Sequence, residues 1–249
     1  MLKFPLKSGL LFLFVALLWQ GCGDKDPKPA DVQIDFKTYV KSDEAVQNEL
    51  IYHTAVGHYY SLLNLRYYLT HISLVKDDGT VVELKKAHLR DIHVPATKTI
   101  EAADVAAGHY TAMTFTFGIK KAENIVTFLD NTLANQNMYW PEQLGPGKFH
   151  YMKLEGQYYC GNDTCTVNNY AFHLGPTFGA DYSFDVSQPI DLTIDGEKKF
   201  LEIRMDIDQW FHDPNDYDFD GWGPGIMNKP AAQEIARANG HNVFSAVVD

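Results

Sequence analysis

Ten histidines, three cysteines and 32 carboxylates are the groups with which this 249-residue chain could do chemistry. The most ordered set is acidic: Asp216, Asp218 and Asp220 alternate and are followed by Gly221. That spacing resembles the first half of a calcium loop, with hard oxygen ligands one residue apart and a glycine that permits the turn. The twelfth position is Met227, where such a loop carries a bidentate Glu, so the pattern also reads as a solvated acidic turn. Calcium is the cation the spacing suits, because an exported protein meets millimolar calcium and a weak site suffices there. The histidines are less ordered. His53 and His58 are five apart, as are His88 and His93, and His212 sits beside Asp213. None forms an i, i+4 pair on a helix, so most read as surface residues. Gly-rich phosphate loops, nucleophile elbows and HExxH motifs are absent from the sequence. The chain is read as non-enzymatic.

Cys160 and Cys165 bracket Gly-Asn-Asp-Thr, residues that tolerate turn dihedrals, which lets the sulfurs meet across a hairpin neck. An even pair in an exported chain predicts a disulfide. The alternatives are free thiols or a metal pair, and a C-x4-C without a second ligand pair makes a poor zinc site. The third cysteine closes a targeting segment, residues 1–22: Lys3 and Lys7 are its basic end, Leu10 to Leu18 its apolar run, and Gly21-Cys22 a lipobox-like end. The apolar run is short of the about 20 residues that span a bilayer. Lipidation at Cys22 is therefore expected, with ordinary secretion and loss of Cys22 as the alternative. Residues 23–31 read as a polar tether.

Beyond Cys22 the net charge is −13. Nucleic acid is excluded as a partner, because a phosphate-binding surface needs clustered Lys and Arg. Membrane attachment would come from the N-terminal lipid, in a cell-envelope lipoprotein of the outer membrane.

Residues 32–249 have the length of one all-β domain. Val32 to Phe36, Leu63 to Val75, Val81 to Leu84 and Tyr110 to Phe117 read as strands, with a hairpin turn at Asp77-Asp78-Gly79. In the long second strand, period-2 geometry puts Arg66, Tyr68, Thr70, Ile72 and Leu74 on the core face. From Phe149 to Glu155 the alternation sets Phe149, Tyr151 and Lys153 against His150, Met152 and Leu154, and Thr166 to Leu174 returns. Trp140 is read as a plug of the sandwich with a wet indole edge. Lys120 to Asn135 suggests a short helix or folded connection. Pro189 to Ile194 and Phe200 to Ile207 suggest a hairpin around Asp195-Gly196, and Val243 to Val248 a last strand. Pro230 to Ala238 has Pro in its first turn, an apolar stripe and Gly240 at its end, so it reads as a helix. The fold class predicted is all-β: a two-sheet antiparallel β-sandwich with one short C-terminal helix.

Asn-Met-Tyr-Trp at 137–140, Gly147-Lys148-Phe149 with Lys153-Leu154-Glu155-Gly156, and Phe172-His173-Leu174-Gly175 together resemble the signature of the MbnP-like family. These are methanobactin-associated and copper-repressible proteins, with relatives among bacterial surface lipoproteins. Leu65 to Thr70, Gly108-His109-Tyr110, Phe117-Gly118-Ile119, Ile226-Met227-Asn228 and Val243-Phe244-Ser245 follow in the family's order. The resemblance implies copper handling. It places one ligand His in the strand matching Tyr68 to Leu74 and another shortly after Gly118-Ile119. Here Thr70 holds the first place, with His71 displaced by one to the opposite face, and Glu123 to Val126 holds no His. High-affinity copper is accordingly not expected at the inherited places, and His71 and His173 are the positions to suspect for copper. His71 would need a bulge, and His173 a second imidazole or Met nearby. The bland reading of His173, which we favour, is a strand histidine paired to backbone or a carboxylate. Glu142 stands where relatives often carry a second tryptophan, so the family's oxidation of tryptophan to kynurenine is not carried over to Trp140.

The expectation is a lipid-anchored binding protein, with copper or calcium as cofactor and a cell-envelope redox or metal-handling protein as partner. The alternative is a glycan-binding or adhesion sandwich, for which Tyr59, Tyr60, Trp140 and Trp222 would cluster on one exposed surface.

Overall fold

The computed structural model describes residues 27–160 and 165–249. The expected signal segment, Cys22 and the start of the tether lie outside the described residues, as do residues 161–164 between the paired cysteines. Strands dominate: β1 (Ala30–Val40), β2 (Asp43–Glu44), β3 (Tyr52–His53), β4 (Tyr59–Tyr60), β5 (Asn64–Lys76), β6 (Val81–Asp91), β7 (Thr99–Val105) and β8 (Gly108–Phe117) fill the first half. After the short helix α1 (Leu133–Gln136) come β9 (Met152–Tyr159), β10 (Asn168–Leu174), β11 (Phe184–Ile194) and β12 (Lys199–Asp206). The chain ends in α2 (Phe219–Trp222), α3 (Pro230–Gly240) and β13 (Phe244–Val248). The first strand begins at Ala30, inside the stretch expected to be tether.

The strands form two sheets. The smaller runs β13-β12-β1-β2 with β7 also on β1; the larger runs β11-β8-β5-β9-β4-β3, with β10 on β9 and β6 on β5. An all-β sandwich results, and among the described residues its strands pair antiparallel except for β1 with β12. That pair corrects the expected hairpin around Asp195-Gly196. β11 pairs with β8 in the larger sheet whereas β12 pairs with β1 and β13 in the smaller, so Gly196, at φ +101°, turns the chain from one sheet to the other. Turn composition reports a reversal but cannot say which partners the strands take. Between the sheets Phe117 stacks on Phe184 at 5.1 Å and meets Trp210 at the same distance, with Phe244 and Phe172 closing around them. Each such ring taken from water contributes about 1.5–3 kcal/mol.

β5 is the central strand, and its parity is not the expected one. Leu65, Tyr67 and Leu69 are fully buried before His71, and Ile72 and Leu74 after it. His71 has φ +54°, and the pairing of β5 with both neighbours shifts register between Thr70 and Ser73. A β-bulge therefore moves the core face from odd to even positions, which a strict period of two cannot anticipate. Tyr68 and Thr70 are buried too, under the connection after β8: the Tyr68 hydroxyl donates to Asn135, and that of Thr70 to the Gly118 carbonyl. The stretch from Lys120 to Asn135 is a series of turns that reaches α1 only at Leu133.

Candidate metal centre

The hairpin of β9 and β10 pairs Leu174 with Met152 and His173 with Lys153. Just before β9 the chain makes a second, shorter pairing. Trp140 N–H donates to the Lys148 carbonyl at 2.8 Å, and His150 N–H to that of Met138 at 2.7 Å. Asn124 fixes this pairing from behind. Its side-chain oxygen accepts from the backbone N–H of Lys148 and Phe149, and its amide donates to the Phe149 carbonyl. The two pairings bring three side chains together: the Trp140 and His150 rings lie 4.8 Å apart and edge-on, and those of His150 and His173 lie 5.3 Å apart and edge-on. Gly175 lets the indole approach, because a β-carbon there would lie 2.3 Å from Cζ3 of Trp140. Helix α3 braces the group. The amide of buried Gln233 donates to the His173 carbonyl at 2.7 Å, and its oxygen accepts from Gly175 N–H.

Hydrogen bonding sets the tautomers. His150 Nδ1 lies 3.1 Å from the Met138 carbonyl, which can only accept, so Nδ1 carries the proton and Nε2 is a bare lone pair. His173 Nε2 donates to Glu155 at 2.7 Å, and Asn64 Nδ2 donates to the same carboxylate at 2.9 Å. In the neutral tautomer that makes this bond, His173 Nδ1 is the second bare lone pair. Both of these nitrogens, and the indole N–H of Trp140, are buried and lack a hydrogen-bond partner. Three orphaned polar atoms on three touching side chains are an uncommon concentration, since buried polar groups nearly always find partners. Burial pushes the His150 imidazole down to about 3, with Lys153 and His173 adding to it. The hydrogen bond from His173 holds Glu155 down at about 2. The result is a pair of imidazoles, each oriented through its other nitrogen by an outer acceptor, the arrangement usual for metal ligands.

The other sequence-predicted residues are placed differently. His71 does sit in a bulge, yet its Nε2 lies 2.8 Å from Glu123 and its Nδ1 3.3 Å from Glu83. Those carboxylates, Glu123 first, raise its affinity for a proton, so it clips β5 to β6 and to the connection after β8. An imidazole with a carboxylate on each nitrogen offers a metal no lone pair. His71 and His173 share no partner. The inherited copper places thus hold Thr70, spent on the Gly118 carbonyl, and Glu123, spent on His71.

The acidic triplet does not converge as one set. Asp216 turns to His212 Nδ1 at 3.1 Å, while Asp218 caps α2 by accepting from Asp220 N–H at 2.9 Å. Cys160 and Cys165 are bridged, with Cα atoms 5.9 Å apart. Trp140 has no wet edge, being 2% exposed, and Tyr60 is fully buried, so Tyr59, Tyr60, Trp140 and Trp222 do not make one exposed aromatic platform. Most of the ten histidines are exposed or half-buried, as expected, but His58, His88, His150 and His173 are buried. Sequence reasoning singled out His173 and missed His150 as its partner. The available signal was a histidine on the strand face otherwise made of Met152 and Leu154.

Fold and site together define a two-sheet β-sandwich that buries an unsatisfied histidine pair beside a tryptophan. The family model for MbnP matches residues 29–228, and the chain belongs to the MbnP family. Among solved structures it is similar to MbnP from Methylosinus trichosporium, with a TM-score of 0.58 over 89% of this chain and 99% of that one. Their identity is 13%, a likeness of fold. No curated protein matches the sequence.

Proposed function

We propose that this protein is an exported, lipid-anchored, non-enzymatic copper-binding member of the MbnP family, with His150 and His173 as its ligands. The observation that carries the reading is the pair of bare imidazole nitrogens, His150 Nε2 and His173 Nδ1, buried without partners on adjoining rings. Cu(I) favours imidazole, thiolate and thioether ligands. The bridge between Cys160 and Cys165 removes both thiols of the domain, leaving imidazole and thioether as its donors for Cu(I). His173 by itself was not a site; His150 supplies the second imidazole it needed. Lipid attachment at Cys22 would hold the domain in the cell envelope, within reach of a redox or metal-handling partner that delivers or takes the ion. Calcium at Asp216, Asp218 and Asp220 is not part of this proposal, because Asp216 turns away to His212.

Anaerobic Cu(I) titration of the exported protein against a competing chelator tests it. We expect one tight equivalent, weakened at least about tenfold in His150→Gln and in His173→Gln. Tight binding that survives both substitutions, or that disappears in His71→Ala alone, would return the site to the inherited strand position and refute the assignment.

A further inference from the structure

A second cluster lies at the edge of the larger sheet and takes no part in the histidine pair. Thr54 closes the tight turn between β3 and β4, its hydroxyl oxygen accepting from His58 N–H at 3.1 Å and its backbone N–H donating to the His58 carbonyl at 2.9 Å. The His58 ring is pressed against Tyr158 and Phe219, each 5.9 Å away, and its side chain is 8% exposed. Only Nε2 reaches a polar neighbour, at 3.2 Å from Asp220 and 3.9 Å from Asp218. One ligand atom from each of the three residues falls within 4.8 Å of the other two. A β-carbon at Gly221 would come within 2.8 Å of Asp218 Oδ2, so the bare backbone leaves this carboxylate its space.

We infer that His58, Asp218 and Asp220 form a site for a borderline divalent cation of the Zn²⁺ class, separate from the histidine pair. The donor set selects the ion. Calcium takes oxygen ligands and has little use for an imidazole, whereas one imidazole with two carboxylates suits zinc. The two carboxylates are about half exposed, which leaves room for water to complete a four-coordinate shell. Charge supports it as well. Among the described residues neither Asp218 nor Asp220 is paired with a Lys or Arg, in a chain already strongly acidic. A cation would relieve the repulsion between the two carboxylates and pin α2 to the turn between β3 and β4. The limit on affinity is also visible. His58 Nδ1 is buried without an acceptor, so the ring lacks the outer partner whose absence costs a metal site about 10–100-fold.

The test is Zn²⁺ titration of the full exported chain against a colorimetric chelator, in four versions: wild type, Asp220→Asn, His58→Gln, and the double variant His150→Gln/His173→Gln. Asp220→Asn keeps an acceptor for His58 while removing the charge, so it separates loss of ligation from loss of fold. We expect one Zn²⁺ equivalent in wild type and in the double variant, weakened at least about tenfold in Asp220→Asn and His58→Gln. Equal Zn²⁺ affinity in wild type and Asp220→Asn would overturn the inference, and so would loss of the equivalent in the double variant. Displacement of zinc by millimolar calcium would overturn it too, by making the site an oxygen cage.

Discussion

Keeping His150 neutral and buried makes the metal-free protein acid-sensitive in a defined window. Unfolded, its imidazole takes a proton near 6.5; folded, burial holds it down to about 3. Between those values the unfolded chain binds more protons than the folded one, so stability rises with pH across the interval and falls as acid is added. Each pH unit below 6.5 is worth about 1.4 kcal/mol, giving a loss of about 2.7 kcal/mol by pH 4.5 and about 5 kcal/mol by pH 3. Against a total stability of about 5–15 kcal/mol for an ordinary domain, that is a large share. His150→Phe removes the titrating group and costs little else at pH 7. The Met138 carbonyl keeps its bond from His150 N–H, so about 1 kcal/mol of side-chain hydrogen bonding is all that disappears. Urea unfolding of both proteins at pH 7, 5.5 and 4.5, with metal chelated, reads the difference. The variant should gain on the wild type by about 2–3 kcal/mol from pH 7 to pH 4.5. His88, which burial pushes down to about 4, titrates in the same window but is present in both proteins and cancels. Parallel stability curves would mean that His150 is solvated or already protonated, and would remove the basis for treating it as a ready ligand.

Two further outcomes follow from the same site. Glu155, held at about 2 chiefly by the His173 hydrogen bond, stabilises the fold above its unfolded value near 4.3, and that contribution is lost as pH falls from about 4.3 toward 2. Its side chain is 36% exposed, so solvent screening reduces the nominal 3 kcal/mol to about 1–2 kcal/mol; Glu155→Gln should lower stability by that amount at pH 7, with the difference shrinking toward pH 2 in chemical denaturation. Gly175→Ala places a methyl group against the Trp140 ring and should cost about 1–3 kcal/mol with a visible change in near-ultraviolet dichroism, whereas Gly225→Ala, whose β-carbon meets nothing closer than 3.9 Å, should do neither.

Much of the scaffold was legible because it rests on local chemistry. Asp77-Asp78-Gly79 turns β5 into β6, Cys160 and Cys165 close the neck of the β9–β10 hairpin, and Pro230 starts α3, each as the composition implies. What escaped depends on partners distant in sequence. Asp195-Gly196 has hairpin composition, but whether the flanking strands pair or part is decided by β8, β1 and β13. His71 carries no glycine or asparagine signal for its positive φ; Glu83 and Glu123, 12 and 52 residues away, hold its ring in place. Asp216, read from its spacing as a partner of Asp218 and Asp220, turns instead to His212, while Asp218 caps α2 and faces His58 across the fold.

The two histidine places differ in what faces their ring nitrogens. His71 Nε2 lies 2.8 Å from Glu123, one residue from Thr70, which holds the place where the resemblance sets a ligand. A metal between two imidazoles needs both nitrogens bare, and replacing one imidazole by a carboxylate turns the contact into a charge-assisted hydrogen bond that holds the other ring protonated. At His150 and His173 the reverse holds. Met138 carbonyl and Glu155 each engage one ring nitrogen, and the other nitrogen of each ring is buried without a partner. Two unsatisfied buried imidazole nitrogens carry a desolvation penalty of about 1–3 kcal/mol apiece, and an ion bound as proposed would offset it.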